Sequence, residues 1–263
     1  MSDAALSVDA LDDAGRDSLR RLILTLADSK RLMGIRYSDW LLGAPSIETG
    51  IAASSMAQDE WGHARLLYAM LKDLGIDPVP VEHDRPGEAY ASVGSLDDPM
   101  PDWAALVAAM VVVDGAIGAV LGSFAEGTFE PARSRVPKML AEEEFHTSLA
   151  DAWYRRLAAA DEEARSLLVA ASEAMLPTTL AWVGADDEAA RAMVEARVIG
   201  PAAERLSRYR ARVGPLLAAS GIDVTSAEGA SDWDPERGRT TGRPDEDAVE
   251  RVRGDRNRSL FVE

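Results

Sequence analysis

Two copies of the motif Glu-x-x-His, 83 residues apart, constrain the fold of this chain more than any other feature. They pair Glu60 with His63 and Glu143 with His146, and they contain two of its three histidines. Residues three apart lie on one face of a helix, so each motif can direct a carboxylate and an imidazole to one point. Two such helices, with a carboxylate from each of two others, form the dinuclear metal site of ferritin-like bundles. The motifs therefore predict an all-α, ferritin-like four-helix bundle.

Apolar residues at helical spacing place both motifs on the inner faces of long helices. In the second helix, Met56, Glu60, His63 and Leu67 share one face, so the polar pair replaces apolar residues on the core side. Burying these groups is unfavourable unless other groups pair with them. The pattern predicts main helices at about 17–42, 47–74, 102–124 and 136–158, two or three more within 161–176 and 186–218, and a short one near 247–252.

Two further charged residues, Lys30 and Asp114, fall on the predicted inner faces. Lys30 precedes Glu60 by 30 residues and Asp114 precedes Glu143 by 29, so in a helical hairpin each would lie level with the glutamate that follows it. The second hairpin then supplies Asp114, Glu143 and His146, the full set of ligands that one hairpin contributes to a dinuclear site. We call such a set a half-site. The first hairpin has a lysine where a carboxylate would stand.

Lys30 leaves three alternatives open. Its ammonium can occupy the place of a metal cation and neutralise Glu60, which gives a metal-free, salt-bridged network. It can be neutral, with its pKa lowered by burial and a metal, and act as a proton donor or a ligand. It can also extend to solvent and leave a five-ligand site behind.

Three secondary interpretations concern the surroundings of the motifs. Asp59 and Glu142 can hydrogen-bond the outer ring nitrogens of ligand histidines, or they can be ordinary exposed acids. His83 lies in a segment rich in proline and glycine, residues 75–101, where we expect exposure to solvent rather than a ligand role. This segment predicts a long irregular crossover, which a bundle with parallel second and third helices requires.

Composition excludes several classes of function. The formal charge of −17 argues against nucleic-acid binding, and the absence of cysteine excludes disulfides and an iron–sulfur cluster held by this chain. We see no apolar signal region in residues 1–17, and the longest apolar run, 103–113, is too short to span a bilayer. We therefore predict a cytoplasmic protein with a flexible lead (1–12), a helical domain (13–220) and a polar C-terminal tail (221–263), extended or loosely packed.

Several segments resemble subunits of one bacterial enzyme complex. Residues Gln58 to His63, Val113 to Ala116 and Glu142 to His146 are similar to the metal-site segments of the phenylacetic acid catabolic family, the ferritin-like subunits of phenylacetyl-CoA epoxidase. The segments that frame them are more similar to the structural, non-catalytic subunit of that complex. These are Arg36-x-Ser38-Asp39-Trp40, Ala44-Pro45-Ser46, Ala64-Arg65-Leu66-Leu67-Tyr68 and, more faintly, Gly238-Arg239-x-Thr241.

The resemblance implies a di-iron oxygenase that epoxidises the ring of an aromatic CoA thioester with dioxygen. Its electrons would come from a separate reductase, and a homologous oxygenase subunit would complete a homo- or hetero-oligomer. The matching metal ligands would be Glu60, His63, Asp114, Glu143 and His146, with iron, or manganese, as the metal. Lys30, in place of the first glutamate of the catalytic subunit, would be a catalytic residue, and Met56 stands where that subunit has a lysine.

Two alternatives to the di-iron oxygenase stay open. The structural subunit of the family has lost its ligands, and the chain can be such a non-catalytic subunit, with a metal-free network of Lys30 and carboxylates. It can also be a ferroxidase or another metal-binding protein.

Overall fold

The computed structural model describes residues 6–254, and within this range the protein is all-α, as predicted. A single antiparallel hairpin, β1 (Trp233–Asp234) with β2 (Arg239–Thr240), is the sheet structure of the described residues. Their helices are α1 (Asp13–Asp39), α2 (Ile47–Tyr68), α3 (Pro78–His83), α4 (Trp103–Glu126), α5 (Glu130–Ala158), α6 (Glu162–Val183), α7 (Glu188–Glu195), α8 (Ala202–Ser220) and α9 (Glu246–Arg253).

Side-chain caps explain why three of the bundle helices begin close to their predicted starts. Asp12, Ser46 and Asp102 each accept a hydrogen bond from a backbone N–H in the first turn of α1, α2 and α4 respectively. Helix α5 begins six residues earlier than predicted, because Pro131 occupies the first turn, where the missing N–H of proline costs no helical hydrogen bond.

Helices α1, α2, α4 and α5 form the bundle as two hairpins, α1 with α2 and α4 with α5. His63 contacts Glu142 and His146 contacts Asp59, so α2 and α5 run antiparallel. It follows that α2 and α4 run parallel, as the sequence predicted from the long crossover between them. The short helix α3 within this crossover was not predicted.

Helix α4 is the central helix of the protein. Helices α1, α5, α6 and α8 all pack against it. Both α4 and α6 are long and apolar enough to cross a membrane by composition alone, but 89% of the most apolar stretch of α4 is buried inside the protein. The length of its apolar run was therefore the wrong argument against a membrane span. Burial in the bundle is what identifies α4 as a core helix.

The segment that follows α8 packs on the bundle instead of extending loosely from it. Arg239 is fully buried, with its guanidinium paired to Asp97 in the crossover, and Arg36 of α1 reaches Asp245 at the start of α9. The short helix predicted near 247–252 is α9. The predicted lead and tail extend into residues 1–5 and 255–263, which lie outside the described residues.

Candidate functional site

The side chain of Lys30 ends between three carboxylates in the core of the bundle. Its Nζ lies 3.0 Å from Glu60 Oε1, 2.8 Å from Asp114 Oδ1 and 2.5 Å from Glu143 Oε1. Lys30 and Glu60 are completely buried, and Asp114 and Glu143 are 6% and 8% exposed. An ammonium has three N–H donors, so each carboxylate receives one. Lys30 therefore does not extend to solvent, which excludes one of the three alternatives.

Each histidine links the two motifs. His63 Nδ1 lies 3.1 Å from Glu143 Oε1, and its Nε2 lies 2.9 Å from Glu142 Oε2. His146 faces Glu60 and Glu143 with Nδ1, and its Nε2 lies 3.3 Å from Asp59 Oδ2. Of the two alternatives for Asp59 and Glu142, the structure shows hydrogen bonds to the outer ring nitrogens, and each acid contacts the histidine of the other motif.

Two buried atoms in this network lack hydrogen-bond partners. His146 Nδ1 lies 3.2 Å from Glu60 Oε1 and 3.3 Å from Glu143 Oε2, but neither contact has hydrogen-bond geometry. Glu60 Oε2 is also unsatisfied. Buried polar atoms without a hydrogen bond are rare, and they mark positions where a ligand can bind.

Tyr37 of α1 also belongs to the network, although the sequence analysis did not identify it as a site residue. Its hydroxyl donates to Asp114 Oδ2 at 2.9 Å, and its ring meets the ring of His146 edge-on. The available signal was its position seven residues after Lys30, two turns along the same face of the helix. A buried tyrosine hydroxyl usually finds a partner, which here is the carboxylate that Lys30 also binds.

The ionisation of the network is set by the competition of burial with nearby charge. Burial lowers the pKa of Lys30, but the charges of Asp114, Glu143 and Glu60 outweigh it and raise the pKa well above its usual value. Burial likewise lowers the pKa of His146, while Glu143 and Glu60 raise it to about 11. Both side chains are therefore cationic at neutral pH.

The two motif glutamates respond in opposite directions. Burial, with the charge of Glu143, raises the pKa of Glu60 to about 8. Burial also acts to raise the pKa of Glu143, but Lys30 and the two histidines more than offset it and hold this pKa well below its usual range. The two carboxylates are coupled, so they titrate as a pair. Burial lowers the pKa of His63, and its hydrogen bond with Glu143 reverses this, so that the net shift is upward.

Four buried residues of the network could hold a metal ion. Glu60, Asp114, Glu143 and His146 each offer one ligand atom, and these atoms all lie within 4.8 Å of one another. Lys30 and all five predicted ligands thus come together, with His63 outside this closer group of four. His83 lies elsewhere, half-buried beside Glu82.

The dinuclear iron centre that the resemblance implies does not fit this arrangement. It needs four carboxylates, whereas the network has three, and Lys30 Nζ occupies one oxygen of each. Lys30 and His146 already supply positive charge to the three acids, and His63 contacts Glu143 as well. A metal cation would have to displace the Lys30 ammonium, and to be bound by His146 it would also have to displace a proton from that ring.

A cavity of about 480 Å³ between α4, α5 and α8 reaches the edge of the network. Asp114 and Glu143 form part of its wall, beside Gly118, and Arg208 and Arg212 also line it. Gly118 leaves this space open, because a side chain there would meet nothing within 4 Å. The cavity is therefore a route by which water and small solutes can reach two of the three carboxylates, while Lys30 stays sealed behind them.

The fold and the site together define a class, the helical bundles with a carboxylate–histidine core contributed by two hairpins. The family described as "Phenylacetic acid catabolic protein" matches residues 3–246, and the chain belongs to that family. No curated protein matches the chain.

Proposed function

We propose that this chain is a non-catalytic, structural subunit of a multicomponent oxygenase of phenylacetate catabolism. In it, the network centred on Lys30 takes the place of a metal centre. One observation carries the proposal: Lys30 Nζ lies at hydrogen-bond distance from the three carboxylates that a metal would need. A buried ammonium with three acidic partners does the electrostatic work of a metal ion without its chemistry.

The network would keep the four bundle helices in register. Lys30 lies on α1, Glu60 and His63 on α2, Asp114 on α4, and Glu143 with His146 on α5. Removing one partner from a buried ionic group costs about 3–5 kcal/mol, because the remaining charge is left uncompensated. The network thus favours one arrangement of the two hairpins, and a rigid arrangement suits a subunit that others assemble on.

Other subunits would supply the oxygen chemistry and the electrons. A homologous chain with a carboxylate at the position of Lys30 would hold the iron, and a separate reductase would deliver electrons, since this chain has no cysteine for an iron–sulfur cluster. The substrate would be an aromatic CoA thioester bound by the homologous chain. We expect the complex to be cytoplasmic.

Metal binding is the second candidate, in an oxygenase or a ferroxidase. Two observations favour it: four potential ligand atoms converge, and Glu60 Oε2 and His146 Nδ1 are buried without hydrogen bonds. For a metal to bind, Lys30 Nζ would have to leave the three carboxylates.

Anomalous diffraction at the iron edge distinguishes the two candidates. Crystals equilibrated with ferrous iron without oxygen should show no iron peak among Glu60, Asp114 and Glu143, with the Lys30 side chain in place. An iron peak there, with Lys30 displaced, would establish the second candidate. Crystals of Lys30→Glu provide the matched control and should show iron, because the variant regains the fourth carboxylate.

A further inference from the structure

The cavity between α4, α5 and α8 is large enough to hold an organic molecule. Its volume is about 480 Å³, whereas a cavity of about 150 Å³ is enough for a benzene ring. Pockets that bind small molecules are mostly apolar, with a few polar groups that fix the orientation of the ligand. Met110 and Ala119 of α4 and Leu140 of α5 supply apolar wall here. The volume and this wall favour a ligand with a hydrocarbon body.

Two glycines of α4 lie in a row with Asp114. Gly118 follows Asp114 by four residues and Gly122 follows Gly118 by four, so the three share one side of the helix. A side chain at Gly118 would meet nothing within 4 Å, whereas one at Gly122 would come within 2.8 Å of Arg208 Nη1. Because a helix rises about 1.5 Å per residue, Arg208 lies roughly 12 Å along α4 from Asp114. The cavity thus has a carboxylate and a guanidinium at separate points along its length.

The acids of the cavity wall already receive hydrogen bonds from the core. Lys30 donates to both Asp114 and Glu143, and Tyr37 donates to Asp114. Both acids are also nearly buried, so they show little of their surface to the cavity. They would repel an anionic group of a ligand, because like charges side by side are unfavourable. An anionic group must therefore bind away from them.

The arginines of α8 supply the donors that such a group can use. Arg208 donates through Nη2 to Glu126, and Arg212 donates through Nη2 to Asp151. A guanidinium has five N–H donors, and each of these bonds occupies one of them. Both side chains are about a third exposed, at 36% and 30%. The planar fork of a guanidinium matches a carboxylate, which it can bind through two parallel hydrogen bonds.

We propose that this cavity binds an amphipathic monocarboxylate, a molecule with one carboxylate and a hydrocarbon body. The carboxylate lies on Arg208, and Arg212, one turn along α8, adds a second positive charge. The body extends over Gly118 and packs against Leu140. A bound ligand closes the route by which water reaches the two wall acids. The inference does not depend on the proposed function, because the cavity lies beside the four-helix core and not within it.

Octanoate and octanol, which have the same hydrocarbon chain, test the proposal by isothermal calorimetry on the full chain. Octanoate should bind at least about tenfold more tightly, since octanol has no charge for an arginine to pair with. Arg208→Gln should weaken octanoate binding by about tenfold and leave octanol within about twofold. Arg208→Lys keeps the charge and should recover part of the loss. Arg191→Gln, at an exposed arginine of α7 paired with Asp186, is the matched control and should change neither affinity.

A substitution that fills the cavity tests the location of the site. Gly118→Leu places a side chain in the open space beside α4, so both ligands should lose their binding. Gly62→Leu is the matched control, because a side chain at this helical glycine of α2 would also meet nothing within 4 Å. It should leave both affinities unchanged. Leucine favours a helix more than glycine does, so we expect both variants to fold, which circular dichroism verifies.

Three outcomes would overturn the inference. They are octanol that binds as tightly as octanoate, octanoate binding that survives Gly118→Leu, and a Kd of octanoate for the wild type weaker than about 1 mM. A failure of the proposed function gives a different result, because it appears as iron among the core carboxylates with Lys30 displaced. Neither result decides the other, since the calorimetry is carried out on the chain without added metal.

Discussion

The two hairpins of the bundle contribute nearly equivalent half-sites that differ at one position. Hairpin α1–α2 supplies Lys30, Glu60 and His63, and hairpin α4–α5 supplies Asp114, Glu143 and His146. In both, the first residue precedes the glutamate by about one helix hairpin, and the histidine follows it by three residues. The two acids that contact the outer ring nitrogens, here called the outer acids, follow the same symmetry: Asp59 contacts His146 and Glu142 contacts His63.

The single difference changes what the site can hold. Where the second half-site has the carboxylate of Asp114, the first has an ammonium, which lies 2.8 Å from that same carboxylate. A pair of carboxylates at these positions would repel each other unless cations lay between them. With Lys30, the cation is part of the chain. Under the proposed function, the lysine at this position supplies from within the chain the cation that a metal would otherwise provide, while Glu60, His63, Asp114, Glu143 and His146 stay in place.

Removing the ammonium of Lys30 should have the largest effect on stability, because this residue is the difference between the two half-sites. Lys30→Met leaves three buried acids without their shared cation, so the free energy of unfolding should fall by about 3–5 kcal/mol in urea denaturation. Adding Glu60→Gln should recover part of this loss. The control is Lys138→Met, which removes an exposed lysine paired with Glu142 and should cost less than about 1 kcal/mol. Equal effects of the two lysine variants would contradict the account.

A pH series tests the second half-site through His146. Its pKa of about 11 in the folded chain exceeds that of an unfolded histidine, about 6.5, so its stabilising contribution is complete below pH 6.5 and is lost as the pH rises through 11. Between pH 7 and pH 9 the free energy of unfolding should fall, by up to about 1.4 kcal/mol per pH unit from this group. His146→Gln should flatten the decline. A variant as steep as the wild type would show that His146 is not the source.

Tyr37 tests a further difference between the half-sites. Its hydroxyl donates a hydrogen bond to Asp114 of the second half-site and makes no equivalent bond to Glu60 of the first. Tyr37→Phe leaves Asp114 Oδ2 without its donor and should cost about 1.5–3 kcal/mol, as for a hydrogen bond to a charged group. Tyr154→Phe is a suitable control, since this buried hydroxyl forms hydrogen bonds with the neutral Ser172 and Ser220 and its loss should cost about 1 kcal/mol. Chemical denaturation of both variants measures the difference.

The smallest expected effect concerns the outer acids. Glu142 helps to raise the pKa of His63, so Glu142→Gln should lower the pKa of His63 in an NMR titration. Because the side chain of Glu142 is 41% exposed, the loss of stability should stay below about 1 kcal/mol. Asp59→Asn should leave the pKa of His63 unchanged, which makes it the matched control. An unchanged pKa of His63 in the Glu142 variant would mean that their contact does not form in solution.

The sequence could predict the positions of the main helices and the residues that meet in the core, because apolar spacing and capping residues are local signals. It placed Lys30 on the inner face of α1 and level with Glu60. It could not choose between the three states of Lys30, since the choice depends on distances across four helices. Tyr37 was missed for the same reason: its hydroxyl acquires a role only through Asp114, 77 residues away.

The C-terminal segment shows a second limit of local signals. Its polar composition predicted loose packing, yet Arg239 is fully buried, with its guanidinium paired to Asp97. A charged residue can be buried when its partner is supplied by a distant segment, and composition does not reveal that partner.

The metal content of the purified chain tests the central claim most directly. After anaerobic reconstitution with ferrous iron or manganese and removal of free metal, elemental analysis should find less than about half an equivalent in the wild type, and Lys30→Glu should bind more. One or two equivalents of tightly bound metal in the wild type would contradict the claim that the Lys30 ammonium holds the place of the metal.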